Sequence, residues 1–135
     1  MYIVTRATFD SLAALRDSAK ELRWNSVFSL PTWMKVWWQQ FGGNSFSYLA
    51  SIRDGNQVIG IAPLRVDGET ASLVGSDNVC DYLDFVTLPG REEDFFNAVL
   101  DDLGQQNVNR LNLGLLRPDS VVLTGLADVA RKRGA

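Results

Sequence analysis

The chain has 135 residues, 46% hydrophobic and 10% aromatic, enough for one domain with a core of its own. Its net charge of −3, with basic residues scattered except at Arg131-Lys132-Arg133, excludes a charged face for nucleic acid or an anionic membrane. With no histidine and one cysteine, Cys80, there is no base for Ser-His-Asp or Cys-His catalysis, no internal disulfide, and no ordinary set of metal ligands.

The longest apolar run, Val58 to Leu64, is far shorter than the roughly 20 residues of a membrane-spanning helix. The start, Met1-Tyr2-Ile3-Val4-Thr5-Arg6, lacks the layout of a signal peptide, so a cytoplasmic location is expected. Cys80 reads as a small buried hydrophobe rather than a nucleophile.

Tyr2-Ile3-Val4 is a short β-prone opening. Phe9, Leu12, Leu15, Ala19 and Leu22 then recur at spacings of three and four, predicting an amphipathic helix over residues 9–23 with Thr8 or Asp10 as N-cap. Ser29 and Pro31 mark a second helix that runs to Phe41 and stops at Gly42-Gly43. Its expected inner face is Trp33, Val36, Trp37 and Phe41, widened by Met34 and Trp38.

Phe46 to Arg53 alternates apolar and polar residues, the period of a strand. Asp54-Gly55-Asn56 is a hairpin turn, and Gln57 to Leu64 is too continuously apolar to be a one-sided strand, so both its faces are expected to be buried. Asp67-Gly68 announces another hairpin and a third strand from Thr70 to Gly75. Within this meander, Gly60 is expected to admit a close neighbour, and Pro63 to sit where no ladder donor is needed. Asp81-Tyr82-Leu83-Asp84-Phe85-Val86 either extends the sheet or lines its rim.

A third helix follows, with Phe95, Phe96, Val99, Leu100 and Leu103 on its core face and Asp101 and Asp102 on a solvated one. Leu111, Leu113 and Leu115 predict a strand returning beside the meander, and Pro118-Asp119-Ser120 opens a last helix bearing Val122, Leu123, Leu126, Val129 and Ala130. The fold class is therefore α/β (α+β): a mixed sheet with a central antiparallel meander, flanked by helices, in a single domain spanning residues 1–135.

Two helices before a meander, then helix, strand and helix, resemble the acyl-CoA N-acyltransferase (GNAT) fold. More narrowly, Pro31-Thr32-Trp33, Trp37-Trp38, Phe41-Gly42-Gly43, Asp54-Gly55, Gly60-Ile61-Ala62-Pro63-Leu64, Leu73-Val74-Gly75, Asp81-Tyr82-Leu83-Asp84 and Pro89-Gly90-Arg91-Glu92-Glu93 resemble, in order and spacing, the N-terminal half of FemAB-like, CelD/BcsL-type acetyltransferases of polysaccharide biosynthesis. The resemblance implies two GNAT-like halves in tandem, with acetyl-CoA bound only by a second, C-terminal half. It implies that this chain is the non-catalytic or substrate-groove half, partnered by that catalytic half or by a second copy of itself. The alternative is a self-standing binding or dimerisation module with a degenerate GNAT fold.

A GNAT loop takes the CoA pyrophosphate on backbone N–H groups opening a helix. Gln57-Val58-Ile59-Gly60-Ile61-Ala62 matches the Gln/Arg-x-x-Gly-x-Gly/Ala pattern but falls inside a strand. Where the loop belongs, Pro89-Gly90-Arg91-Glu92-Glu93-Asp94 brings three carboxylates that would repel the pyrophosphate, so no cofactor is expected on this chain.

Asp81, Tyr82 and Asp84 are the candidate catalytic residues, since a carboxylate can orient or deprotonate an acceptor and a phenol can protonate a leaving thiolate. Together with Trp33 and Trp37 they are also the candidate substrate-binding residues. The commoner use of such an acidic segment is to cap turns, with the tyrosine in the core, and the commoner use of an aromatic stripe on a helix is packing. No metal is expected. The final helix face of Leu123, Leu126 and Val129 and the edge near Leu111 to Leu115 are the expected uncovered surface.

Overall fold

A computed structural model describes residues 2–22, 24, 30–43, 45–75, 84–113, 120 and 125–134. The order is β1 (Tyr2–Arg6), α1 (Phe9–Ser18), α2 (Pro31–Phe41), β2 (Phe46–Asp54), β3 (Gln57–Asp67), β4 (Thr70–Leu73), β5 (Val86–Thr87), α3 (Glu92–Gln105), β6 (Arg110–Asn112) and α4 (Ala127–Lys132). The strands form one sheet in the order β1-β2-β3-β4-β6, with β5 also on β3. Every pairing is antiparallel except β4 with β6. The mixed sheet and its central meander follow the expected architecture.

Register assigns the two faces. On β3, Gly60 and Leu64 lie opposite Ile52 and Tyr48 of β2, and this face meets α3. Arg65 points to the other face, where its guanidinium lies 5.6 Å from the Trp37 ring of α2. Strand β3 is thus covered on both sides, and Val58 through Leu64 are all buried. So are Tyr48 to Ile52 of β2, although their alternation resembles a half-exposed strand; α3 covers one face and the aromatic helix α2 lies on the other.

Gly60 is where α3 touches the sheet. A Cβ there would lie 2.5 Å from Phe95 Cε1 and 2.8 Å from Cγ, so only glycine leaves room for that ring. Phe95, Phe96 and Phe85 pack edge to face with centroids 5.1 to 5.9 Å apart. Gly55 and Gly68, at φ of +62 and +63°, make the hairpin turns.

The partner side of β3 is interrupted. Leu73 lies opposite Leu64 and Val74 N–H donates to the Pro63 carbonyl at 2.9 Å, but Val86 already lies opposite Ile61. Strands β4 and β5 therefore run end to end along β3 with a break at Ala62 and Pro63. The Leu49 carbonyl accepts from Ala7 N–H, so the polar groups of Leu49 point to β1 and its pair with Pro63 carries no hydrogen bonds. The missing N–H of Pro63 faces the break, where the ladder needs no donor.

Helix α1 begins as expected, with Thr8 and Ser11 forming a reciprocal capping box. It ends at Ser18 rather than at residue 23: the Ala19 carbonyl accepts instead from Leu22 N–H and the Trp24 indole. The inner face of α2 is also displaced from expectation. Met34 and Trp37 are buried, whereas Val36 and Phe41 are more than half exposed. The final helix face is not uncovered either, because Leu126 and Val129 are buried in the core and Leu111 and Leu113 pack against it. Val122, Leu123 and Leu115 lie outside the described residues.

Candidate functional site

Among the described residues, three places answer to the expectations drawn from the sequence. The first is the turn that opens α3. Gly90, at φ +89°, donates its N–H to both carboxylate oxygens of Glu92, at 3.1 and 3.0 Å. The loop donor is therefore taken by the chain's own anion, and Glu92, Glu93 and Asp94 all occupy the first turn. The nearby cation is engaged as well. Arg91 donates to Asp54 Oδ2 at 2.7 Å and to Asp94 Oδ2 at 3.1 Å. These bonds hold the Arg91 guanidinium above its ordinary pKa and Asp54 below the usual carboxylate range. Gln57-Val58-Ile59-Gly60-Ile61-Ala62 lies wholly within β3 and opens no helix. These residues do not fit a pyrophosphate: the donor is filled, the turn is acidic, and the arginine is clasped.

The second place is the break between β4 and β5. Of the residues singled out there, Asp81 and Tyr82 lie outside the described residues, as does Cys80. Asp84 is half-buried, and its Oδ1 accepts from Phe85 N–H at 2.9 Å. Thr87, directly opposite Gly60, is buried, and its hydroxyl is unpaired among the described residues.

The third place is a groove of about 490 Å³ between α1 and the start of α2. Trp33 lines it, but Trp37 does not: that ring is buried against Trp38 and Phe41 at 5.9 to 6.3 Å and faces Arg65. The spacing of four brings the two indoles onto neighbouring positions of one helix, and the sheet takes the second of them into the core.

One cluster escaped sequence reading. The Tyr48 hydroxyl, in the centre of β2, donates to Asp102 Oδ2, while the Arg6 guanidinium lies 3.9 Å from the Tyr48 ring centroid and 3.8 Å from the same carboxylate oxygen. Asp102 is thus no solvated residue; it joins α3 to β1 and β2, whereas Asp101 pairs with Arg133 at 2.6 Å. Burial, then the adjacent carboxylate, pushes the Tyr48 phenol well above its usual pKa, so it stays a donor. No signal in sequence joins residues this far apart.

Among the described residues no helix is long and apolar enough to cross a membrane, and no group of three His, Cys, Asp or Glu side chains could hold a metal ion.

No protein-family model and no curated protein matches the chain. Among solved structures it is similar to the ribosomal-protein-S18-alanine N-acetyltransferase from Escherichia coli. The TM-score is 0.57 at 11% identity, over 96% of this chain and 76% of that one. At that identity the likeness is one of fold: the chain has the GNAT-like, acyl-CoA N-acyltransferase architecture.

Proposed function

We propose that this chain is the substrate-groove half of a GNAT/FemAB-like acetyltransferase acting in polysaccharide or cell-envelope biosynthesis, and that it takes no part in holding acetyl-CoA. The observation that carries the reading is the turn at α3, where Glu92 already occupies the Gly90 N–H and Arg91 is bound to Asp54 and Asp94. A phosphate arriving there would have to displace an intramolecular carboxylate beside two further ones, and the arginine that could offset the repulsion is already committed. The groove along α1 and α2 is open by contrast, and its apolar lining with a few polar groups suits a ligand. The catalytic partner is then a C-terminal half bearing a glycine-rich loop before a helix, and the motifs quoted above for the CelD/BcsL type support that arrangement.

Calorimetry of this chain with acetyl-CoA tests the reading. Binding no tighter than millimolar is expected; a micromolar dissociation constant, lost on changing residues 90–92, would overturn it. A native reading frame with no glycine-rich loop downstream would remove the partner half.

A further inference from the structure

The α1/α2 groove has two chambers that share Arg16 and Asp17. The larger is floored by Ala13, Leu30, Pro31 and Trp33 and edged by Val36. The smaller, about 390 Å³, adds Lys20 and Trp24. Spacings of three and four put Ala13, Arg16 and Asp17 on one stripe of α1, and Lys20, in the turn beyond the helix, lines the smaller chamber beside them. The Trp24 indole N–H donates to the Ala19 carbonyl at 3.3 Å, which fixes the wall of the smaller chamber. Among the described residues none of Arg16, Asp17 and Lys20 has an ion-pair partner, although Lys35 nearby takes Asp10 at 2.9 Å. The start of α2 adds to the positive field: Leu30 provides no side-chain cap and its first turn holds no acid.

We propose that this groove binds a free α-amino acid with an apolar side chain. The side chain enters the larger chamber against Trp33, the carboxylate turns to Arg16 and Lys20, and the ammonium group turns to Asp17. Charge complementarity selects this occupant. One cation and one anion, Arg16 and Asp17, line the apolar chamber, with Lys20 beside them in the smaller one, and an α-amino acid carries both signs on a single carbon beside an apolar group. An apolar acid would leave Asp17 facing its carboxylate, and an apolar amine would leave Arg16 and Lys20 facing its ammonium group. The chamber volume falls in the range of small-ligand sites. The proposal rests on reading this groove as the substrate groove, and on the cell-envelope rather than the polysaccharide form of that reading, but its test is independent of acetyl-CoA and of any partner half.

The test is calorimetry on the full chain with L-phenylalanine, 3-phenylpropanoate and 2-phenylethylamine. Phenylalanine is expected to bind with a dissociation constant of about 1 mM or below, and each analogue at least tenfold more weakly. Asp17→Asn should erase the preference over 3-phenylpropanoate, and Arg16→Gln with Lys20→Gln the preference over 2-phenylethylamine; all three side chains are exposed, so the fold survives. Equal binding of either analogue, no saturation with phenylalanine at tens of millimolar, or variants that leave the preferences unchanged would each overturn the proposal. None of those outcomes bears on the α3 turn, whose reading fails only if acetyl-CoA binds.

Discussion

Gly60→Ala isolates the contact that seats α3 on the sheet. The added Cβ would lie 2.5 Å from Phe95 Cε1 and 2.8 Å from Cγ, where ordinary contacts begin at 3.4 Å, so ring or strand must move by about 1 Å. Phe95 is fully buried and packs edge to face against Phe85 and Phe96, so a shift of its ring disturbs both neighbours. Overpacking of this kind costs about 1 to 3 kcal/mol. The smaller unfolded-state entropy of alanine returns about 0.4 to 1 kcal/mol. The net loss is about 1 to 2 kcal/mol, or a fall in Tm of about 3 to 8 °C for a domain of this size.

Urea and thermal denaturation of the single variants and of Gly60→Ala/Phe95→Ala decide it. Phe95→Ala alone should cost about 3 to 5 kcal/mol, and in that background the alanine at position 60 should become neutral or stabilising. Gly104, in α3 with open space for 4 Å around the point where a Cβ would stand, is the control: Gly104→Ala should stabilise by about 0.5 to 1 kcal/mol. An unchanged Tm for Gly60→Ala, or the same penalty with and without Phe95, would refute the close approach.

Tyr48→Phe removes the hydroxyl donor of a partly buried carboxylate, leaving it only the Arg6 guanidinium at 3.8 Å, and should cost about 1 to 3 kcal/mol by urea denaturation; an unchanged midpoint would mean the hydroxyl contributes nothing. Thr87→Val removes a buried, unpaired hydroxyl and should raise stability by about 1 kcal/mol, whereas a destabilised variant would mean that the hydroxyl has a partner. Because Arg91 depresses the folded-state pKa of Asp54, the stability from that pair is present above the unfolded value near 3.8 and is lost as pH falls through the folded one. Asp54→Asn should therefore flatten the acid limb of the stability profile below about pH 4, and an unaltered limb would exclude the pair as a contributor.

Strand β3 was legible because burial on both faces leaves a continuous apolar run, and the turns at Gly55 and Gly68 because positive φ restricts the residue type. Helix α2 was legible in extent but not in orientation. Apolar residues at 33, 34, 36, 37, 38 and 41 permit several stripes, and the sheet chose the one centred on Met34 and Trp37. The end of α1 was hidden because Ala19 and Leu22 keep the helical spacing although they pack from a turn. At the candidate site, the acidity of the α3 turn could be read from Glu92, Glu93 and Asp94, since that effect is local. The Arg91 clasp to Asp54 and the Tyr48 to Asp102 bond could not, because each joins residues that only the sheet brings together.

The distribution of acids over the helix starts links these features. Helix α1 has the Thr8 and Ser11 box with Asp10 in its first turn, α3 has three carboxylates, and α4 has Asp128. Among the described helices α2 alone begins with neither an acid nor a side-chain cap. An anion drawn to a helix start is therefore repelled at α3 and favoured at α2. The two starts lie on opposite faces of the sheet, since Tyr48 reaches Asp102 of α3 across one face and Arg65 reaches Trp37 of α2 across the other. The turn that opens α3 thus sets the chain's own Glu92 carboxylate on the Gly90 N–H, while on the opposite face Arg16 lines the apolar chamber and Lys20 the smaller one beside it. On the reading proposed above, a carboxylate-bearing ligand is consequently favoured at the start of α2, whereas a CoA pyrophosphate is disfavoured at the start of α3.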